Sequence, residues 1–210
     1  MTVSGDLQYL QAAESLNFPE SEEVPETKLH LKLRTLLFEL LELAFAERAS
    51  IGSDQFIYWD PTDPKACLAP DAFVRWGEPD RMFRSWKVWE RGAPQLAVEV
   101  ISVDDQRDRD WEAKLVRYRR LGILELVRFD PEQEADPLRI WDNVGADLVE
   151  RVVTAVPTKS LVLPGHWIVV KDPKLGITLR LSRDEQGRDL YATKAERIRE
   201  LEAALARRSR

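Results

Sequence analysis

The chain has 210 residues and a formal net charge of −6, with 44% hydrophobic and 32% charged residues, a balance that suits one folded domain with a substantial core and terminal extensions. Its single cysteine, Cys67, and two histidines exclude an intrachain disulfide, a thiolate zinc site and a multi-histidine metal centre, so any metal must rest mainly on oxygen ligands, as Mg²⁺ or Mn²⁺ does. The acidic balance does not advertise polyanion binding. No apolar stretch approaches the roughly 18 residues of a membrane span, and the N-terminus lacks the pattern of a secretory signal; a soluble, cytoplasmic protein with no membrane partner is expected.

Residues 1–25 are polar and acidic around Pro19 and Pro25 and read as an N-terminal arm. From Thr27, a plausible cap, leucines recur at helical spacing (Leu29, Leu33, Leu36, Leu37, Leu40, Leu41, Leu43) and predict a helix running to about Ala49, ended by Gly52-Ser53. His30 falls near its start, where a capping or surface role competes with a role in a site. Gln55 to Trp59 alternates as a strand, the turn-rich Asp60 to Pro64 follows, and Pro70 to Trp76 reads as the returning strand of a hairpin-like excursion. Asp71 and Phe73 then share one face and Ala72 and Val74 the other. Between Arg81 and Arg91, basic residues (Arg81, Arg84, Lys87) alternate with Phe83, Trp86 and Trp89. That mixture suits nucleic-acid phosphates and bases, and equally ordinary packing.

Leu96-Ala97-Val98-Glu99-Val100-Ile101 reads as a buried strand interrupted by one carboxylate. Left unpaired there, Glu99 would cost several kcal/mol or stay protonated, so it needs a partner. After a charged loop containing Asp104 and Asp105, Trp111, Leu115 and Tyr118 mark one face of a helix that stops near Gly122, and Leu124 to Phe129 reads as a second buried strand ending at Asp130-Pro131. Strand, helix and strand with short connections predict a crossover unit and two parallel strands, hence an α/β fold. Leu138 to Trp141, Leu148 to Val153 and Ile168 to Val170 read as further short strands, the first two hairpin-like. Ala192 to Arg207 reads as a helix with Ile198, Leu201 and Leu205 on one stripe, which either lies back on the domain, frays, or meets a second copy.

Two carboxylates on neighbouring strands can hold a divalent cation, and a lysine beside them can orient water and offset phosphate charge. Asp71 and Glu99 are the candidate acids. Lys114 lies about 60° from Trp111 and about 40° from Tyr118 around the helix, at the edge of its buried face. Asp110, four residues before Lys114, is a candidate partner for it. Taken singly, Asp71 also reads as a strand-start residue and Lys114 as half of a surface ion pair; taken together and in this order, they favour a site.

The segments PDAFVRWG (from Pro70), QLAVEVIS (from Gln95) and DWEAKLVRYRRLGILELVRFDP (from Asp110), with the pattern around His30, resemble the Uma-type restriction endonuclease family of the PD-(D/E)xK nuclease superfamily. The resemblance covers roughly residues 25–185. It implies a restriction-endonuclease-like mixed β-sheet flanked by helices, here over residues 26–185, with 186–210 as a C-terminal helical tail. By that resemblance Asp71 and Glu99 match the two metal-binding acids and Lys114 matches the family's lysine on the following helix; the Val100 carbonyl, next to Glu99, is a candidate further metal ligand. The superfamily lysine usually lies two residues after the second acid, where this chain has Ile101, so the resemblance implies that the helix supplies it instead. The expected function is a Mg²⁺- or Mn²⁺-dependent endonuclease acting on DNA, with Asp110 and His30 in support and Arg81, Arg84 and Lys87 contacting nucleic acid. A homodimer would suit cleavage of both strands. The competing reading is a non-catalytic binding or assembly module that keeps the fold, with Glu99 and Lys114 surviving as a buried ion pair.

Overall fold

Helix α1 spans Lys28–Phe45 and starts where the cap predicts, with the Thr27 hydroxyl accepting the His30 backbone N–H at 3.2 Å. Leu33, Leu37, Leu40, Leu41 and Phe45 form its buried stripe. The protein is described by a computed structural model over residues 27–102 and 111–208. The helix ends four residues earlier than its leucine pattern predicts. Ala49–Gly52 is instead strand β1, because these residues pair antiparallel with the later strand Ala72–Trp76, and this long-range ladder outweighs local helix preference.

The expected hairpin is also corrected. Ile57–Tyr58 (β2) pairs antiparallel with Cys67–Leu68 (β3), in a small sheet of its own, while Ala72–Trp76 (β4) leaves to join the main sheet. Trp86–Lys87 (β5) completes the small sheet in parallel with β2 and runs into a single helical turn, Val88–Arg91 (α2). Leu96–Val100 (β6), Trp111–Leu121 (α3) and Glu125–Phe129 (β7) form the predicted crossover, and β6 and β7 are parallel with Glu99 opposite Arg128. Gly122, at φ 83°, takes the left-handed turn that ends α3. Leu138–Val144 (β8) and Asp147–Glu150 (β9) make the expected antiparallel hairpin, completing a mixed six-stranded sheet in the order β1-β4-β6-β7-β8-β9.

Thr158–Lys159 (β10), His166–Asp172 (β11) and Gly176–Ser182 (β12) form a third, antiparallel sheet. Strand β12 lay outside the sequence expectations although Ile177, Leu179 and Leu181 alternate in it. Those three residues join α1 and the inner face of the main sheet (Ala72, Val74, Val98, Val100, Val127) in one core. On the opposite face Phe73, Ala97, Leu126 and Trp141 pack with Tyr118 and Leu121 of α3 and with Trp86. The period-two alternation of β4 and β6 is therefore observed, and it turns Glu99, like Ala97, toward the α3 layer.

Lys194–Arg208 forms α4, opened by a reciprocal cap: the Thr193 N–H donates to Glu196 Oε2 at 2.7 Å and the Glu196 N–H to Thr193 Oγ1 at 3.2 Å. Arg180 and Glu196 fasten this end to β12 at 2.7 Å. Ile198, Leu201 and Leu205 are about half exposed or more, so the stripe does not lie back on the domain.

Gly52 lies opposite Phe73 on the neighbouring strand, and a β-carbon there would fall 2.1 Å from the Phe73 ring. We expect Gly52→Ala to lower unfolding free energy by roughly 1–3 kcal/mol through overpacking, read from the urea midpoint. Unchanged stability would show that the ring has room to move.

Candidate active site

Asp71 sits just before β4, preceded by Pro70, whose carbonyl accepts the Asp54 N–H at 2.9 Å. Its backbone carbonyl accepts the Ser53 hydroxyl at 2.7 Å. The carboxylate crosses to the end of β6, where Oδ2 accepts the Val100 N–H at 2.7 Å. This bond ties the first candidate acid to the residue that follows the second. From α1, His30 Nε2 lies 3.2 and 3.3 Å from the two Asp71 oxygens and 2.8 Å from the Val100 carbonyl oxygen. Arg34, one turn further along α1, brings Nε to 3.9 Å from Asp71 Oδ1 and pairs with Asp54 at 3.2 Å.

Glu99 is only 5% exposed, and both of its carboxylate oxygens receive donors from α3. Lys114 Nζ reaches Oε2 at 2.9 Å, and the Tyr118 hydroxyl donates to Oε1. Lys114 and Tyr118 lie four residues apart, so one helical face supplies both. Burial pushes the Glu99 carboxyl above the usual carboxylate range, Lys114 pulls it down, and the charge of Asp71 pushes it up again. Burial, reinforced by Glu99, also holds the Tyr118 hydroxyl well above the ordinary phenol range, so it remains a donor.

The fold thus brings together His30, Asp71, Glu99, Val100 and Lys114, all expected from the sequence. Asp110 lies outside the described residues. Arg81 and Arg84 are exposed, and Lys87 pairs with Glu90 at 3.6 Å. Much of the aromatic character of that loop is spent on packing: Trp86 is fully buried, edge-on to Phe73 and Phe83, and the Arg91 guanidinium lies 3.9 Å from the Phe83 ring centre. Sequence reasoning missed Arg34, legible only as the residue four after His30, and treated Tyr118 as core alone. It also missed Arg128, which faces Glu99 across the β6/β7 ladder with its guanidinium 5.2 Å from the Trp111 ring centre.

The oxygen donors near the end of β6 are the Asp71 carboxylate, the Glu99 carboxylate and the Val100 carbonyl, donor types that a hard cation takes. No cluster of three or more histidine, cysteine or acidic side chains with metal-binding geometry occurs among the described residues. That composition fits Mg²⁺, which commonly takes one or two carboxylates and completes its shell with water and phosphate oxygens.

Residues 20–171 match the sequence profile of Uma2, a family described as "Putative restriction endonuclease". The chain belongs to the Uma2 family. The match agrees with the resemblance carried by the segments around Asp71, Glu99 and Lys114. Among solved structures the chain is similar to a protein described as "a putative nuclease belonging to DUF820" from Anabaena variabilis, with 11% identity and a TM-score of 0.46 over 72% of this chain and 75% of that one. Comparison with curated proteins gives no match. No helix among the described residues is long and apolar enough to cross a membrane.

Replacing Lys114 by Met leaves Glu99 buried without its cation, and the expected loss of stability at pH 8 is roughly 3 kcal/mol. Because the folded chain holds the Glu99 proton to higher pH than the unfolded chain, the cost of ionising it is absent in acid and grows as pH rises above the ordinary value of 4.5. The deficit of Lys114→Met in urea unfolding should therefore shrink between pH 8 and pH 5. An equal deficit at both pH values would mean that Lys114 acts through packing alone.

Proposed function

We propose that this Uma2 protein is a divalent-metal-dependent endonuclease that hydrolyses DNA phosphodiester bonds. The observation that carries the reading is the convergence, at one end of β6, of Asp71, tied to the Val100 N–H at 2.7 Å, and Glu99, tied to Lys114 at 2.9 Å. Asp71, Glu99 and the Val100 carbonyl would hold Mg²⁺ or Mn²⁺. Such an ion supplies charge stabilisation for the phosphate and acidifies a bound water.

The protein's own groups have separable tasks. Lys114, anchored on Glu99, keeps a positive charge beside the reacting phosphate and orients the attacking water. Tyr118, held as a donor by its burial, fixes the other Glu99 oxygen, so that the carboxylate keeps one orientation. The Val100 N–H does the same for Asp71. His30 and Arg34 place donors on the Asp71 carboxylate from the opposite layer. Substitution of Lys114 for the usual strand lysine is compatible with this scheme, because what the chemistry requires is a charge in place, whichever element delivers it. Arg81, Arg84 and Lys87 are candidates for contacts with the DNA backbone, and cutting both strands would call for two copies about a twofold axis.

The Lys114–Glu99 pair also supports a second reading, a non-catalytic module in which the two residues simply neutralise each other. Thermal melting separates the readings, since a metal-binding site is stabilised by Mg²⁺ or Mn²⁺ through preferential binding to the folded state and a bare ion pair is not. For the nuclease reading, we expect Mg²⁺- or Mn²⁺-dependent nicking of supercoiled plasmid that Glu99→Ala abolishes and Lys114→Ala reduces by about a hundredfold or more. Equal nicking by wild type and Glu99→Ala, or none with either metal on single- or double-stranded DNA, would overturn it.

A further inference from the structure

We propose that α4 is a dimerisation helix: its stripe of Ile198, Leu201 and Leu205 pairs, in parallel and in register, with the same stripe of a second copy of this chain. The inference stands apart from the reaction proposed at the strand end. Helix α4 also lies beyond residues 20–171, the part that matches the family.

The domain grips α4 through its first turn, where Glu196 meets Arg180 at 2.7 Å and Lys194 reaches Glu42 and Glu39 at 3.0 and 3.5 Å. From Ile198 to Arg208 the helix runs on for roughly three turns, about 16 Å, and none of its residues is buried. Ile198, Leu201 and Leu205 are 55, 49 and 64% exposed. A helix of this length is marginal in water by itself, because most helical stability comes from packing an apolar face. Three large aliphatic side chains on one solvent-facing stripe therefore call for a cover.

The residues beside the stripe identify the cover as a second α4. The spacings of three and four place Ile198 and Leu205 at a and Leu201 at d of a coiled-coil seam, and isoleucine at a with leucine at d favours two parallel strands. Arg197 then falls at g and Glu202 at the following e, the positions that face each other across such a pair. Twofold symmetry makes the contact twice, Arg197 of each copy meeting Glu202 of the other. Within one chain Arg197 lies 3.1 Å from Glu200, both more than half exposed, a surface contact of little worth that Arg197 gives up at small cost. An antiparallel pair would bring e to e and g to g. That sets Ala195 and Ala204 against Glu202 and Arg197 and leaves both charges without a counterpart. Two heptads are fewer than a confident coiled coil uses, so the dimer is weak and fills at high protein concentration.

The experiment is sedimentation equilibrium of the full chain from low to high micromolar concentration, together with Leu201→Glu, Arg197→Glu and Glu202→Arg, with the urea midpoint of each as the check that the domain is intact. The expected results are a monomer–dimer equilibrium in the unsubstituted chain and no dimer in Leu201→Glu. Arg197→Glu and Glu202→Arg, each of which sets like charges against each other, should each weaken association roughly tenfold. An equimolar mixture of these two variants should associate about as well as the unsubstituted chain, because each supplies the charge that the other lacks. A monomer at every concentration, a dimer that Leu201→Glu leaves intact, or a mixture that associates no better than its components would overturn the proposal. Should Leu201→Glu not fold, the mixture decides, since neither of its components alters an apolar residue.

Discussion

A single buried carboxylate on a central strand sets the terms for the rest of the molecule. Glu99 lies in the third of six strands, with Ala97 before it packed in the α3-side core, and an ionised carboxylate there needs compensation that solvent cannot give. The crossover supplies it. Because β6 and β7 are parallel, the chain must return along the sheet through α3, and that return lays Lys114 and Tyr118 over Glu99. Topology and charge neutralisation are here one event: a shift of α3 by one residue, about 100° around its axis, would remove both donors together.

Asp71 is neutralised from the other side. Its donors come from α1, through His30 and Arg34, and from the strand end itself, through the Val100 N–H. Each of the two helical layers thus serves one acid, and the acids meet at the carboxyl end of β6, where the sheet stops and the layers separate. In open α/β sheets this strand end is where ligands bind, since the connecting segments diverge there. Two acids with independent supports are better suited to holding a third party than one acid pair buried in a shared network. Neither carboxylate depends on the other for its position, and the charge of Asp71 works against the ionisation of Glu99, a conflict that the cation of the proposed site would relieve.

The residues of this site were legible because their anomaly is local. An acid in an apolar run, a lysine at the edge of a helical stripe and a histidine in a capped first turn can each be read from spacing. What was not legible depends on distant partners: β1 exists because β4 lies beside it, and Tyr118 carries a second role because Glu99 is under its hydroxyl. Glu125 shows the limit of the local argument. It too stands in an apolar run, Leu124-Glu125-Leu126-Val127, and is fully buried with its carboxyl pushed up by burial. Yet it is absorbed by structure: Ser160, two backbone N–H groups, Trp167 and Arg151 surround it, pinning the 160–162 loop against the sheet. The oddity that marks Glu99 is shared by a residue whose task is to hold a loop. The two differ in their donors and in their place on the strand. Glu125 opens β7 and takes mostly neutral donors from neighbouring structure, whereas Glu99 lies near the carboxyl end of β6, beside a second acid and a lysine.

Net charge, too, hides local arrangement. A total of −6 argues against a polyanion substrate only if charge is spread evenly, and here it is not. Arg128 lies opposite Glu99 and Arg139 opposite Arg128 across successive strands. Paired residues on adjacent strands project to the same face, so these two guanidiniums continue a row that begins with Glu99 and its lysine on the α3 side. Arg128 lies against Trp111 and Arg139 against Trp141, and the two indoles are themselves in contact at 5.3 Å. Flat aromatic faces hold both guanidiniums in place. Arg139 is also forked onto Glu150 at 2.7 Å and Arg128 lies 3.8 Å from Asp130, so the row beside Glu99 is one of paired charges, and the field there is set by local arrangement within about one Debye length, roughly 8–10 Å, not by the sum over the chain.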